Sequence, residues 1–167
     1  MKENFEIERK YLIAYPDEKM LGNCAQRSEI VQTYLKTPGR GQTRRVRKRG
    51  RDGVYQYTFT EKLRVSDIRR IENERVITEK EYQQLLQQAD PGRKAVHKTR
   101  WVLPYKGQNF EIDVYPFWKD RAIMEIELSS EDQPVELPPQ IRVLREVTSD
   151  GRYTNASLSV TVPTDRL

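Results

Sequence analysis

The sequence predicts a mainly β protein of the α+β class, in which eight or nine antiparallel strands close, or nearly close, into a barrel braced by a few short helices. Three observations carry that expectation. Short runs with period-two alternation recur along the chain, separated by Gly, Pro and Asp-Gly turn signals. Few windows carry helical spacing or caps. Six stretches place like charges two residues apart, which in a strand puts both on one face and leaves Ile7, Ile112 and Ile126 on the other. Closure follows because so many strands would otherwise leave exposed edges.

Residues 5–13 read as the first strand, with charged and apolar positions alternating. Residues 16–24 read as a short helix, with Pro16 near its start and Gly22-Asn23 near its end. A second strand spans 28–35 and stops at Pro38-Gly39-Arg40-Gly41. Residues 43–49 and 54–62 form a hairpin around Gly50-Arg51-Asp52-Gly53, and 71–77 a further strand. Thr78-Glu-Lys-Glu81 has the form of a capping box and opens a helix through Ala89, with Tyr82, Leu85, Leu86 and Ala89 on one side. Strands follow at 95–104, 109–115 and 122–128, the first two joined by the Lys106-Gly107-Gln108 turn. Residues 134–139 are a Pro-rich connector, 141–148 a candidate strand and 155–159 a short last helix.

The chain of 167 residues is expected to be a single domain spanning 1–167. With 36% hydrophobic and 33% charged residues and a mean hydropathy of −0.86, it is too polar for a membrane protein, yet its apolar residues are patterned rather than sparse. No run approaches the ~18 apolar residues of a membrane span, and the N-terminus lacks a secretory signal core. The lone Cys24 excludes an internal disulfide and argues against a Cys-based zinc site. A cytoplasmic location is the resulting expectation. The net charge of +5 and pI near 9.3 favour anionic partners, while 25 acidic residues argue against a nucleic-acid glove.

The charge pairs carry the chemistry. In order they are Glu6-Ile-Glu8 with Lys10, Arg45-Val-Arg47, Glu72-Asn-Glu74, Lys98-Thr-Arg100, Glu111-Ile-Asp113 and Glu125-Ile-Glu127. A wet sheet face usually mixes signs, whereas these are segregated by strand, which is costly unless something sits between them. A polyanion with divalent metal ions would satisfy both sets. A single such pair is usually a solvated strand face; six in one small chain are not. Glu61, Lys48 and Arg44 fall out of phase and read as exterior, as does His97, the only histidine. The tyrosines, Trp101 and Trp118 read as packing groups, with Tyr57 out of phase with Lys62. The basic run 44–51 lacks the interleaved aromatics of a nucleic-acid patch.

These motifs, in this order, resemble the CYTH superfamily, the triphosphate tunnel metalloenzymes. Glu6-x-Glu8-x-Lys10 is similar to its E-x-E-x-K signature, Arg45-Val-Arg47 to its R-x-R, and Thr60-Glu-Lys62 to its T-x-K. The later pairs fall in the expected order, and Glu146-Val-Thr148 with Arg152-Tyr-x-Asn155-Ala-x-Leu158 is similar to its C-terminal segment. The resemblance implies an eight-stranded antiparallel closed β-barrel, a tunnel that binds a triphosphate group and metal ions.

Lys10, Arg45, Arg47, Lys62, Lys98 and Arg100 are then the expected triphosphate ligands, because a linear polyanion needs cations along its length. Glu6, Glu8, Asp113, Glu125 and Glu127 are the expected ligands of Mg2+ or Mn2+, two ions in all, since hard carboxylate oxygens suit both metals. Glu6, Glu8, Lys10, Glu125 and Glu127 are the candidate catalytic set; Glu72, Glu74 and Glu111 are supporting acids. Metal-dependent hydrolysis of the terminal phosphate of inorganic triphosphate is the expected function. Thiamine triphosphatase and class IV adenylyl cyclase are the alternatives; the cyclases typically carry a His-Phe element ahead of the first motif, and only Phe5 stands here. A non-enzymatic polyphosphate-binding module would gain nothing from the acidic pairs. A small-molecule triphosphate is the expected partner, with no nucleic acid and no membrane; a homodimer is left open.

Overall fold

Strand β1 (Phe5–Ala14) shows why the chain folds as it does: Glu6, Glu8 and Lys10 share one face, while Ile7, Tyr11 and Ile13 share the other. The structure, a computed structural model, describes residues 5–167. The same alternation builds β2 (Gln26–Tyr34), β3 (Gln42–Arg51), β4 (Val54–Arg64), β5 (Arg69–Ile77), β6 (Val96–Tyr105), β7 (Gln108–Val114) and β8 (Arg121–Glu127). These eight antiparallel strands run β1-β8-β7-β6-β2-β3-β4-β5, and Phe5–Ile7 of β1 pairs with β5 to close the ring. Beyond that contact, the same edge of β1 pairs through Tyr11–Ile13 with β9 (Val143–Glu146), a short ninth strand appended to the barrel. Strand β9 is all that forms of the strand expected over 141–148.

Two hairpins are fixed by turn chemistry. Asp52 and Gly53 (φ 54° and 81°) join β3 to β4, and Lys106 and Gly107 (φ 47° and 75°) join β6 to β7. Positive φ at both central residues matches the right-handed twist of the flanking strands. Helix α1 (Glu18–Cys24) starts two residues later than expected, because the Asp17 carboxylate accepts from the backbone N–H of Lys19 and Met20 and caps it there. Helix α2 (Glu79–Leu85) is capped by Thr78 as expected, and a 3₁₀ turn, Leu86–Gln88, completes the helical stretch. Glu81 pairs with Arg75 at 3.0 Å. Helix α3 (Asn155–Leu158) follows a second 3₁₀ turn, Gly151–Tyr153.

The apolar material lies mostly outside the barrel wall. One cluster (Tyr11, Ile13, Trp101, Phe110, Ile112, Met124, Ile126) is covered by Leu21 of α1 and by Ile141. A second, under α2, joins Val46 and Ile77 to Tyr82, with Tyr57 and Phe59 packed against it. A third (Leu12, Tyr34, Tyr115, Trp118, Ile123, Val147, Tyr153, Leu158) packs strand residues against the C-terminal segment. Burying apolar surface on the outer face leaves the inner face free to be polar. Among the described residues no helix is long and apolar enough to cross a membrane.

Candidate functional site: a charged tunnel

A cavity of about 630 Å³ occupies the barrel interior. Ten cationic and eight acidic side chains line it, so the enclosed surface is densely ionic with a small positive excess. Of the residues expected from the sequence, Glu6, Glu8, Lys10, Arg45, Arg47, Lys62, Glu72, Glu74, Arg100, Glu111, Glu125 and Glu127 all stand on its wall. Lys98 and Asp113 do not. They lie fully buried on the same inner strand faces but off the cavity surface, with Lys98 Nζ donating to Asp113 Oδ2 at 2.8 Å. The exterior assignments hold for Arg44, which reaches Glu61 at 3.6 Å over the Phe59 ring, and for His97, which is exposed.

Register brings opposite signs together at several levels, which reading strand by strand did not foresee. Lys10 stands opposite Glu125 and reaches it at 3.3 Å; Arg100 stands opposite Asp113. Lys62 Nζ lies 2.8 Å from Glu6 Oε2, close enough to pair but without hydrogen-bond angles. Arg70 reaches Glu8 at 3.5 Å, Arg100 reaches Glu111 at 2.7 Å, and Arg47 reaches Glu74 at 3.7 Å, with Thr60 donating to the same Glu74 oxygen. The expected repulsion within each strand is thus partly relieved by neighbouring strands.

Two imbalances remain, and they sit on different strands. The first is cationic. Arg45 is 8% exposed, has no carboxylate within ion-pair distance among the described residues, and its Nε has no acceptor. Burial first, then Arg45 and Arg100, push Arg47 down to about 10, a large fall for a guanidinium. Arg49 is lowered too, by burial and by Arg100. Crowded arginines with depressed proton affinity mark a surface that is electrostatically incomplete without an anion.

The second imbalance is acidic and lies on β7, β8 and β1. Glu8 stands directly opposite Glu127, and Glu111 opposite Glu125. Like charges in facing positions are destabilising. Lost hydration, followed by the carboxylates of Glu111, Glu6 and Glu8, raises Glu127 above the ordinary Glu value. Among the described residues no three acidic, His or Cys side chains converge into a ready-made metal cage. The donors nevertheless fit a small hard cation, since Mg2+ commonly takes one or two carboxylates and completes its shell with water and substrate phosphate.

Asp113, expected as a metal ligand, is engaged on both oxygens. Arg100 Nε donates to Oδ1 at 2.7 Å, and Arg100 Nη2 and Lys98 Nζ donate to Oδ2. Burial alone would raise its proton affinity, but Arg100 and Lys98 outweigh that and hold it well below the carboxylate range. Burial pushes the Lys98 ammonium down to about 7 against the pull of Asp113. Lys10 is the reverse case: burial opposes its charge, but Glu125 and Glu8 raise it above the ordinary lysine value.

The wall also holds residues the sequence reading passed over. Arg49 continues the Arg45–Arg47 phase and Arg70 the Glu72–Glu74 phase, so a further step of two along each strand finds them. Arg93 has no such signal, because it reaches the cavity from a loop, while Thr154–Ser157 belong to the C-terminal segment that the resemblance singles out through Asn155.

A closed barrel with its ionic face inward and its apolar face outward defines a polyanion-binding tunnel. The sequence agrees with that class: residues 4–150 match the CYTH domain, and the chain belongs to the CYTH domain family. It is 34% identical over 162 residues to an inorganic triphosphatase of Nitrosomonas europaea, covering 95% of this chain and 99% of that protein. A crystal structure of an inorganic triphosphatase superposes with a TM-score of 0.58 at 32% identity, covering 95% of this chain and 97% of that one. A Hippeastrum protein, a proposed adenylyl cyclase with a dominant triphosphatase activity, shares the fold at 15% identity (TM-score 0.56, 75% of this chain and 80% of that one).

Proposed function

We propose that the chain hydrolyses inorganic triphosphate inside the tunnel. The observation that carries this reading is Arg45, a buried guanidinium on the cavity wall with no carboxylate partner, beside Arg47 and Arg49 on the same strand face. The 34% identity to an inorganic triphosphatase supports the same substrate.

The roles follow from position. Arg45 and Arg47 offer planar forks that bind phosphoryl oxygens two at a time, Lys10 and Lys62 act as point charges, and Arg100, already held by Asp113 and Glu111, adds positive charge to the wall. Glu6, Glu8, Glu127 and Glu111 are the carboxylates that would hold a divalent ion, Mg2+ or Mn2+. Bound there, such an ion would neutralise charge developing on the phosphoryl oxygens and make a water more acidic. Glu125 fixes the Lys10 ammonium, and Asp113 holds the buried Lys98 and the wall residue Arg100 rather than binding metal. Water attacks the terminal phosphorus, the bond to the bridging oxygen breaks, and the pyrophosphate that leaves is held by the arginines. Glu74 orients Arg47, and Glu72 stands opposite Lys62 on the neighbouring strand.

The test is phosphate release from inorganic triphosphate, ATP, thiamine triphosphate and pyrophosphate, with Mg2+ or Mn2+ and then in excess EDTA. Inorganic triphosphate is expected to turn over fastest, and activity to vanish in chelator. Full turnover in EDTA would sink the assignment of the acidic wall, and a cyclic nucleotide product from ATP would sink the substrate.

A further inference from the structure

We propose that Asp165 is a positioning residue for Lys10, acting through Tyr153, and that residues 160–167 form a strap holding one end of the tunnel in its binding shape. The proposal rests on the tunnel being the triphosphate site. The strap contains no helix or strand, yet it is pinned at three successive points. Val162 packs against the third apolar cluster. Trp118 Nε1 donates to the Pro163 carbonyl at 2.9 Å, and Arg121 Nη2 donates to the Asp165 carbonyl at 2.6 Å.

The Asp165 carboxylate then sits among three guanidiniums, with Arg145 at 3.7 Å and Arg121 and Arg152 at 3.9 Å, and the Tyr153 hydroxyl donates to it at 3.4 Å. Arg121 is almost fully buried, and its Nη1, the nitrogen that faces the Asp165 carboxylate at 3.9 Å, has no hydrogen-bond acceptor among the described residues. Tyr153 is 1% exposed, with Arg145 and Arg152 each 5.4 Å from its ring centre and Trp118 at 6.0 Å. At its other end the Tyr153 carbonyl accepts from Lys10 Nζ at 3.4 Å, and the residues that follow, Thr154–Ser157, line the tunnel. One residue therefore joins the strap's charge cluster to a tunnel cation. Without the Asp165 charge, the three arginines would share, among the described residues, only Asp120 and Asp150, and no described carboxylate would draw the Tyr153 hydroxyl outward.

The experiment is calorimetric titration of tripolyphosphate in the absence of metal, with melting temperatures measured alongside. Asp165→Asn and Tyr153→Phe are each made in the parent and in a Lys10→Met background. Each is expected to weaken binding about tenfold in the parent and by less than about twofold beside Lys10→Met, the non-additivity expected of coupled neighbours. Asp165→Glu is expected to recover part of the loss. Equal losses in both backgrounds, or a lowered melting temperature with unchanged affinity, would reduce the strap to general stability and overturn the proposal. If the parent binds no tripolyphosphate, the tunnel assignment fails first. The link to Lys10 is then read from the ¹⁵N resonance of its ammonium, which must shift in both Asp165→Asn and Tyr153→Phe; an unmoved resonance overturns the proposal on its own.

Discussion

Arg45 states the main tension in the molecule at the scale of one side chain. It is buried with no carboxylate at ion-pair distance among the described residues; burial opposes its charge, yet Tyr34 and the more distant Glu6 hold its proton affinity above the ordinary arginine value. Arg45→Met is expected to weaken triphosphate binding by ~2–5 kcal/mol while leaving the melting temperature of the free protein little changed. Calorimetry and thermal melts on the same samples check both halves; a variant that melts lower and binds as tightly would mean that Arg45 is structural. Glu127 gives a second, pH-dependent signature. Its raised proton affinity means that the folded chain binds a proton more readily than the unfolded chain does. Stability of the free protein is thus lost as pH rises from the ordinary Glu value of 4.5 through the raised one. The difference in melting temperature between the parent and Glu127→Gln should therefore turn against the parent over that interval, and Mg2+ should reverse it. A difference that does not depend on pH would remove Glu127 from the acidic wall.

Strands and turns were the most legible elements, because the period-two pattern and the turn residues are local. The hairpin at Asp52-Gly53 illustrates how firmly such a turn is set. A Cβ on the preceding Gly50 would stand 1.9 Å from the Val54 carbonyl oxygen, backbone that cannot move without opening the hairpin. Gly50→Ala is expected to cost ~1–3 kcal/mol by overpacking, read as a lower denaturation midpoint; an unchanged midpoint would mean that the hairpin end relaxes freely. Phase alone placed Glu6, Glu8, Lys10, Arg45, Arg47 and the later pairs on the inner face. It could not show that β1 is shared among β8, β5 and β9, or that Glu8 meets Glu127 while Lys10 meets Glu125. Register is a property of two strands that may lie a hundred residues apart, and no local pattern contains it. Depth was hidden for the same reason: Lys98 shares its strand face with Arg100 yet is fully buried off the cavity, locked to Asp113.

For the whole molecule, the inversion of polarity is the organising fact. Helices α1 and α2 and the Ile141 region cover the apolar outer wall, so the barrel can devote its interior to charge. Cations from β1, β3, β4 and β6 then face a common cavity. A linear substrate with three phosphates engages more of them than one with two, and contacts remote from the broken bond can be used at the reacting phosphorus. The most direct measurement is the ratio of hydrolysis rates for inorganic triphosphate and pyrophosphate under the same Mg2+ concentration. If even ~3 kcal/mol of transition-state contact depends on the third phosphate, triphosphate is cleaved about a hundredfold faster or more. Comparable rates on the two would contradict the tunnel as a triphosphate-length site and leave a shallow phosphate pocket in its place.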